Sequence, residues 1–249
     1  MHYEAKAGHI GTGLSSIDIL TYLYGEWFGE GDRFILSKGH GASALYATLA
    51  HFGRISEELV STYYKDDTTL PAHPAAGALP DIPAATGSLG HGLSIACGLA
   101  LAFHRSGAAH KRVCCMVSDG ECNEGSVWEA AMFASHHKLA NLLVVVDANG
   151  LQGFGRTSEV LGLEPIGPKF EAFGFDVHEA SGHDFLALHK AMSASPTNAP
   201  RCIVARTTKG KGVSFMEDRL EWHYLPMNPE QFESAKNELT MVASTEGQL

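Results

Sequence analysis

Ser118 to Leu151 reads SDGECNEGSVWEAAMFASHHKLANLLVVVDANGL and follows the apolar run Val113-Cys114-Cys115-Met116-Val117. An apolar run of that length ended by Asp119-Gly120 predicts a buried strand running out into a turn. Gly125 to His137 has helical spacing, with Val127, Ala130, Ala131 and Ala134 on one stripe. Leu142 to Val146 is a second buried strand, stopped by Asp147-Ala148-Asn149-Gly150. The pattern is a βαβ unit with two polar turns at the same edge of a parallel sheet, where open α/β sheets bind ligands.

Those turns carry oxygen donors. Asp119 offers a carboxylate, Asn149 an amide oxygen, and Leu151 its backbone carbonyl. Mg²⁺ typically takes few protein oxygens and completes its octahedron with water and phosphate oxygens. Gly120 lets the backbone approach a phosphate closely, and the helix starting near Gly125 presents free N–H groups. The alternative is two ordinary turns, since Asp-Gly and Asn-Gly are common in loops.

Asp119-Gly120-x-x-x-Glu124-Gly125, about thirty residues before Asp147-x-Asn149, resembles the thiamine diphosphate motif of the transketolase family. Ser118 stands where the family usually has glycine. Other matches follow in family order. Gly8-His9-Ile10-Gly11 is similar to the family's Gly-His-Pro-Gly, with isoleucine for proline. Ser37-Lys38-Gly39-His40 matches its Ser-x-Gly-His turn, and Ala72-His73-Pro74 its Gly-His-Pro, with alanine for glycine. Thr86-Gly87-Ser88-Leu89-Gly90-His91-Gly92 matches Thr-Gly-x-Leu-Gly-x-Gly. Lys209 and the Trp222-His223 pair complete the series.

The resemblance implies an α/β thiamine diphosphate-binding fold, a parallel sheet with helices on both faces, filling residues 1–249 as one domain. It implies thiamine diphosphate bound through Mg²⁺ or Ca²⁺, with Asp119, Asn149 and the Leu151 carbonyl on the metal. His40, Gly87, Ser88, Leu89, Asp119, Gly120, Glu124, Asn149, Lys209 and His223 would hold the cofactor. His9, His40, His73 and His223 would serve hydrogen bonding and proton transfer during passage of a two-carbon ketol unit from a ketose to an aldose, the sugars free or phosphorylated. Glu124 and Glu129, five apart and so not facing each other on one helix, are acids that the family places at a subunit interface. Taken alone, they are a helix-capping acid and a solvated one.

The family's activating glutamate lies on a further domain that normally follows at the carboxyl end. The resemblance therefore implies a separate carboxyl-terminal partner subunit carrying that glutamate, self-association into a dimer or an α₂β₂ assembly, and inactivity of the chain alone. Two other readings stand beside it. One is another thiamine-dependent carbon–carbon transferase, similar to 1-deoxyxylulose-phosphate synthase or decarboxylating a ketoacid. The other is a non-catalytic cofactor-binding subunit that only completes an interface. The family also has more helix before Gly8, so the amino terminus is expected to be truncated or short.

Composition bounds the partners. With 249 residues and a hydrophobic fraction of 45%, the chain is long enough for one large α/β domain. A net charge of −10 argues against nucleic acid or an anionic membrane as partner. Five cysteines without paired spacing argue against a disulfide framework and for a reducing cytoplasm. Four lie in apolar runs; Cys122, in the Asp119 turn, is expected to be partly exposed. The 14 histidines are the compositional oddity, several of them beside glycine in turns.

Elsewhere the expected elements are a loop over Gly8–Gly13, with Ser15 or Ser16 capping the next helix, a strand over Asp32–Leu36, and a helix over Ala42–Phe52. Ser56–Tyr64 reads as a short helix and Pro71–Pro83 as irregular. Beyond Gly155 come a strand at Phe175–His178, a helix over Asp184–Met192, a strand at Cys202–Arg206, and a closing amphipathic helix over Pro229–Leu239, with a flexible tail from about residue 240.

Overall fold

The computed structural model describes residues 1–246. Helices α1 (His2–Ala5) and α2 (Ile10–Tyr22), the second prolonged by a π-turn over Leu23–Trp27, precede strand β1 (Arg33–Leu36). A 3₁₀ turn at Gly39–Gly41 leads into α3 (Ala42–His51), then α4 (Glu57–Val60), an irregular stretch and α5 (His91–Arg105). The motif segment follows as β2 (Val113–Ser118), a 3₁₀ turn (Gly120–Asn123), α6 (Gly125–His136) and β3 (Leu142–Ala148). A hairpin, β4 (Leu151–Gln152) and β5 (Gly155–Arg156), precedes α7 (Thr157–Val160), α8 (Ile166–Ala172), β6 (Asp176–Ser181), α9 (Phe185–Met192) and β7 (Arg201–Arg206). The 3₁₀ turn Leu220–His223 and α10 (Pro229–Glu246) close the described chain.

Five strands form one sheet in the order β1-β2-β3-β7-β6, every pair parallel. Strands buried on both faces need apolar residues at every position, which is why β2 and β3 read as runs rather than alternations. Alternate side chains supply two cores. Cys114, Met116, Leu143, Val145 and Ile203 meet Leu20 of α2, Leu45 of α3 and Leu188 of α9. Cys115, Val117, Val144, Val146 and Val204 meet Leu93 of α5, Ala131 of α6 and Phe170 of α8 on the other face. The small side chains of α6 let it lie close to α5, where the Cys97 thiol donates to the Ala130 carbonyl at 3.5 Å. Each large side chain so buried contributes about 1.5–3 kcal/mol.

The handedness of parallel crossovers decides which face each helix takes. From β1 through β2 and β3 to β6 the chain advances across the sheet in one direction, and α5, α6 and α8 all lie on one face. From β6 back to β7 it reverses, and α9 lies on the other. The carboxyl ends of β1, β2, β3 and β7 consequently open at one sheet edge, in register at Ser118↔Asp147 and Ala148↔Arg206.

Several expected boundaries differ. Helix α2 begins at Ile10, inside the expected loop, with His9 as its N-cap at φ 69°. Gly11-Thr12-Gly13 are helical, and neither Ser15 nor Ser16 is a cap: both are buried within α2 and donate to the Thr12 carbonyl at 3.0 and 2.7 Å. Tertiary packing overrides the helix cost of glycine here. A Cβ at Gly11 would lie 3.1 Å from the Trp222 carbonyl oxygen and one at Gly13 3.3 Å from Ser43 Oγ. The helix expected over Ser56–Tyr64 is one turn, α4, capped as Ser56 Oγ accepts from the Leu59 N–H at 3.2 Å. Helix α10 continues past Leu239 to Glu246, through much of the expected tail; Gly247–Leu249 of that tail lie outside the described residues. Cys122 is fully buried, because the 3₁₀ turn rolls it into the core shared with α6.

Candidate active site

The carboxyl-edge turns of β2 and β3 are bonded to each other. The Asp119 carboxylate accepts the Gly120 N–H at 2.7 Å and the Gly150 N–H at 2.6 Å, while the Asp119 N–H donates to the Asp147 carbonyl at 3.2 Å. Gly150 reaches this position at φ 76°, a backbone conformation that favours glycine. Burial, and then the neighbouring Asp147 carboxylate, push the Asp119 carboxyl up to about 6 against those two N–H bonds and Lys209. A divalent cation would oppose that rise.

Asn149 is held at both ends of its amide. Its Nδ2 donates to Asp147 at 3.2 Å, and its Oδ1 accepts the Leu151 N–H at 3.1 Å. The Leu151 carbonyl accepts from Lys209 Nζ at 3.1 Å. Asp119, Asn149 and the Leu151 carbonyl, on the bonded β2 and β3 turns, offer hard oxygens of the kind that Mg²⁺ or Ca²⁺ takes. Among the described residues no group of three or more His, Cys, Asp or Glu side chains is arranged for a metal. Gly120 packs under it: a Cβ there would lie 2.8 Å from Gln152 Cβ.

Lys209, 1% exposed, bridges this set to the histidines, with Nζ 2.6 Å from His223 Nδ1. Burial, reinforced by Lys38, brings its ammonium down to about 8. Four imidazoles from four separate segments converge beyond it. Ring centroids of His9 lie 5.4 Å from His40, 5.2 Å from His223 and 6.5 Å from His73, and those of His40 and His223 are 5.5 Å apart. The His9 N–H donates to the His223 carbonyl at 3.1 Å, fixing the start of α2 against the Leu220–His223 turn. Burial lowers all four. His223 falls to about 3, helped by Lys209, and His40 is held well below the usual range, helped by Lys38. Burial thus favours the neutral ring at all four positions.

The Thr86–Gly92 loop closes the far side. Gly87 packs on His73, and Gly90, at φ 85°, packs on the first turn of α6, where a Cβ would meet Ser126 Oγ at 2.4 Å. Among the described residues, His9 Nδ1 and, on this loop, Thr86 Oγ1 are buried without a hydrogen-bond partner. Ser88 is exposed and Leu89 half-buried on it. Glu124 and Glu129 are not brought to the imidazoles. Both are exposed, at the N-cap and on the first turns of α6.

Three buried charges escaped sequence reasoning: Lys38, Glu121 and Asp147. Lys38 and Asp147 form an ion pair with neither side chain exposed. Asp147 also accepts from Ser15 Oγ at 2.6 Å and from Thr207 Oγ1. Although burial pushes its carboxyl up, the Lys38 ammonium and those hydroxyls hold it below the ordinary aspartate range. The signal for Glu121 was present as Ser118-x-x-Glu121, a capping-box pattern.

Residues 3–246 match the family model described as "Transketolase, thiamine diphosphate binding domain". The chain belongs to that transketolase family. Its relatives include one subunit of the apulose-4-phosphate transketolase of Actinobacillus succinogenes, 42% identical over 242 residues, or 93% of this chain and 87% of the relative. The 6-deoxy-6-sulfo-D-fructose transketolase subunit SqwG of a Clostridium species is 37% identical, covering 93% of this chain and 88% of the relative. Among solved structures, transketolase from Leishmania mexicana superimposes with a TM-score of 0.86 at 29% identity, covering 95% of this chain and 38% of that one. The transketolase fold is therefore shared across nearly the whole of this chain, which spans about two fifths of the solved transketolase chain.

Proposed function

We propose that this chain is the diphosphate-side subunit of a split, thiamine diphosphate-dependent transketolase, moving a two-carbon ketol unit from a ketose to an aldose. The observation that carries the reading is the convergence, at one sheet edge, of an oxygen donor set (Asp119, Asn149, Leu151 carbonyl) with a buried ammonium and four neutral imidazoles. Relatives named as individual transketolase subunits, matched over most of their length, support a separate partner subunit.

Asp119, Asn149 and the Leu151 carbonyl would hold Mg²⁺ or Ca²⁺, which in turn takes diphosphate oxygens. Lys209 would offer positive charge and His40 an N–H donor to the same diphosphate, and the Gly87–Leu89 backbone would line the cofactor. Bound thiamine diphosphate supplies the nucleophilic carbon on which a carbon–carbon bond is broken and remade. His9 and His73, clustered and neutral, would accept and return protons at sugar hydroxyls, while His223, its Nδ1 turned to Lys209, would present its other ring nitrogen as an N–H donor to the oxygen of the reacting carbonyl. Glu124 and Glu129, exposed on α6, would face a second copy of the chain rather than the substrate.

The test pairs binding with turnover. Wild type and Asp119→Ala are titrated calorimetrically with thiamine diphosphate and Mg²⁺, with and without the partner subunit, and ketol transfer is assayed alongside. Metal-dependent binding that tightens with the partner and is lost in the variant is expected, with turnover only in the mixture. Robust turnover by the chain alone would overturn the split-subunit reading, and pyruvate replacing the ketose as donor would favour the other thiamine-dependent transferases.

A further inference from the structure

Glu121 is fully buried, forms no salt bridge among the described residues, and lies two positions after Asp119. Its carboxylate reaches three separate loops. One oxygen accepts from Ser37 Oγ and from the Gly90 N–H at 2.8 Å. The other accepts the Ser118 N–H at 3.2 Å, and Ser118 Oγ accepts the Glu121 N–H in return, also at 3.2 Å. The reciprocal pair is a capping box closed over the 3₁₀ turn Gly120–Asn123. Ser118, which stands where the family usually has glycine, is thus the residue that completes the box.

A carboxylate is the side chain suited to this place. It offers several acceptor positions and no donor, and all three partners arrive as donors. Burying a carboxylate among neutral groups costs stability, so packing alone does not account for it. The loops it joins also touch with little slack. A Cβ at Gly92 would lie 2.3 Å from Ser37 Oγ, and one at Gly39 2.8 Å from the Thr86 carbonyl carbon. A small shift at Glu121 is therefore passed to the turn carrying Lys38 and His40, to the Gly87–Gly92 loop and to Asp119 itself.

We propose that Glu121 is a positioning residue, a carboxylate latch that sets the spacing of the Ser37–Gly41 turn, the Gly87–Gly92 loop and the Asp119 turn without touching cofactor or substrate. The consequence for cofactor affinity rests on the function proposed above; the latch itself does not.

Two readouts separate them. In the full chain, backbone hydrogen exchange is compared among wild type, Glu121→Gln, Ser118→Gly and a core control, Leu188→Ala, on the opposite face of the sheet. Glutamine places an amide N–H₂ against an N–H or hydroxyl donor, so protection is expected to fall at residues 37–41, 87–92 and 118–124 while β3 keeps its own. Ser118→Gly leaves the bonds to Ser37 and Gly90, and its loss is confined to 118–124. Thiamine diphosphate titration at saturating Mg²⁺, read beside the thermal midpoint, is expected to weaken about tenfold or more in Glu121→Gln. Leu188→Ala, with an equal or larger fall in midpoint, binds within about twofold of wild type. Unchanged exchange at 37–41 and 87–92 in Glu121→Gln, or an affinity loss no greater than that of Leu188→Ala, overturns the proposal. Should Glu121→Gln not fold, Ser37→Ala removes one bond of the latch and is expected to deprotect 37–41; no change there overturns it equally. A wild-type chain that binds no cofactor overturns the functional reading, and the exchange pattern still decides the latch.

Discussion

At the scale of single residues, the histidines divide by what surrounds them. His2 in α1 is buried, with Nδ1 3.3 Å from the Ala7 carbonyl and Nε2 2.7 Å from Ser43 Oγ. That pairing suits the neutral ring, Nδ1–H donating and Nε2 accepting the hydroxyl. Burial lowers its pKa from 6.5 to about 4 against the Ala7 bond. The unfolded chain then takes up the proton first, so this stability is fully present above pH 6.5 and is lost as the pH falls toward 4. The contribution is on the order of 3 kcal/mol. Urea unfolding at about pH 7.5 and about pH 4.5 is expected to show a smaller acid loss for His2→Gln than for wild type; equal losses would remove His2 from the account.

At the scale of elements, one ion pair does the joining. Asp147 lies at the end of β3, and Lys38 just after β1, Ser15 in α2 and Thr207 just after β7 all three donate to its carboxylate. Asp147→Ala strands a buried ammonium and is expected to cost about 3–5 kcal/mol, read as a lower denaturant midpoint. Lys38→Met together with Asp147→Leu is expected to recover part of that loss, since apolar replacement of both partners removes the uncompensated charge. The same elements show what was legible in sequence. The β2–α6–β3 unit and both turns were readable because doubly buried strands declare themselves as apolar runs and turns as Asp-Gly and Asn-Gly. The four histidines, Asp119, Asn149, Lys209 and the Gly87–Leu89 loop were readable through their motifs. Lys38 and Asp147 were not, because a charge beside an apolar run usually means the strand has reached water, and only the fold reveals that two such ends face each other. The start of α2 was misread for a related reason: Gly11 and Gly13 are there for close contact with Trp222 and Ser43, which no local propensity records. Glu121 carried a local signal in Ser118-x-x-Glu121, but its bonds to Ser37 and Gly90 span 84 and 31 residues.

At the scale of the whole molecule, no helix among the described residues is long and apolar enough to cross a membrane. One further property follows from where the sulfur lies. Cys97, Cys114, Cys115, Cys122 and Cys202 are free and at most 2% exposed. Burial pushes every one of their thiols up, that of Cys97 to about 12. The thiolate is the reactive form, so the native protein should be inert to alkylation. The chain thereby contains its own unfolding clock. Brief exposure to iodoacetamide in rising denaturant is expected to yield molecules with no adduct or five by mass spectrometry, and few between, if the two cores open together. A population labelled at Cys122 alone would instead time the opening of the turn that carries Asp119, separately from the collapse of the sheet beneath it.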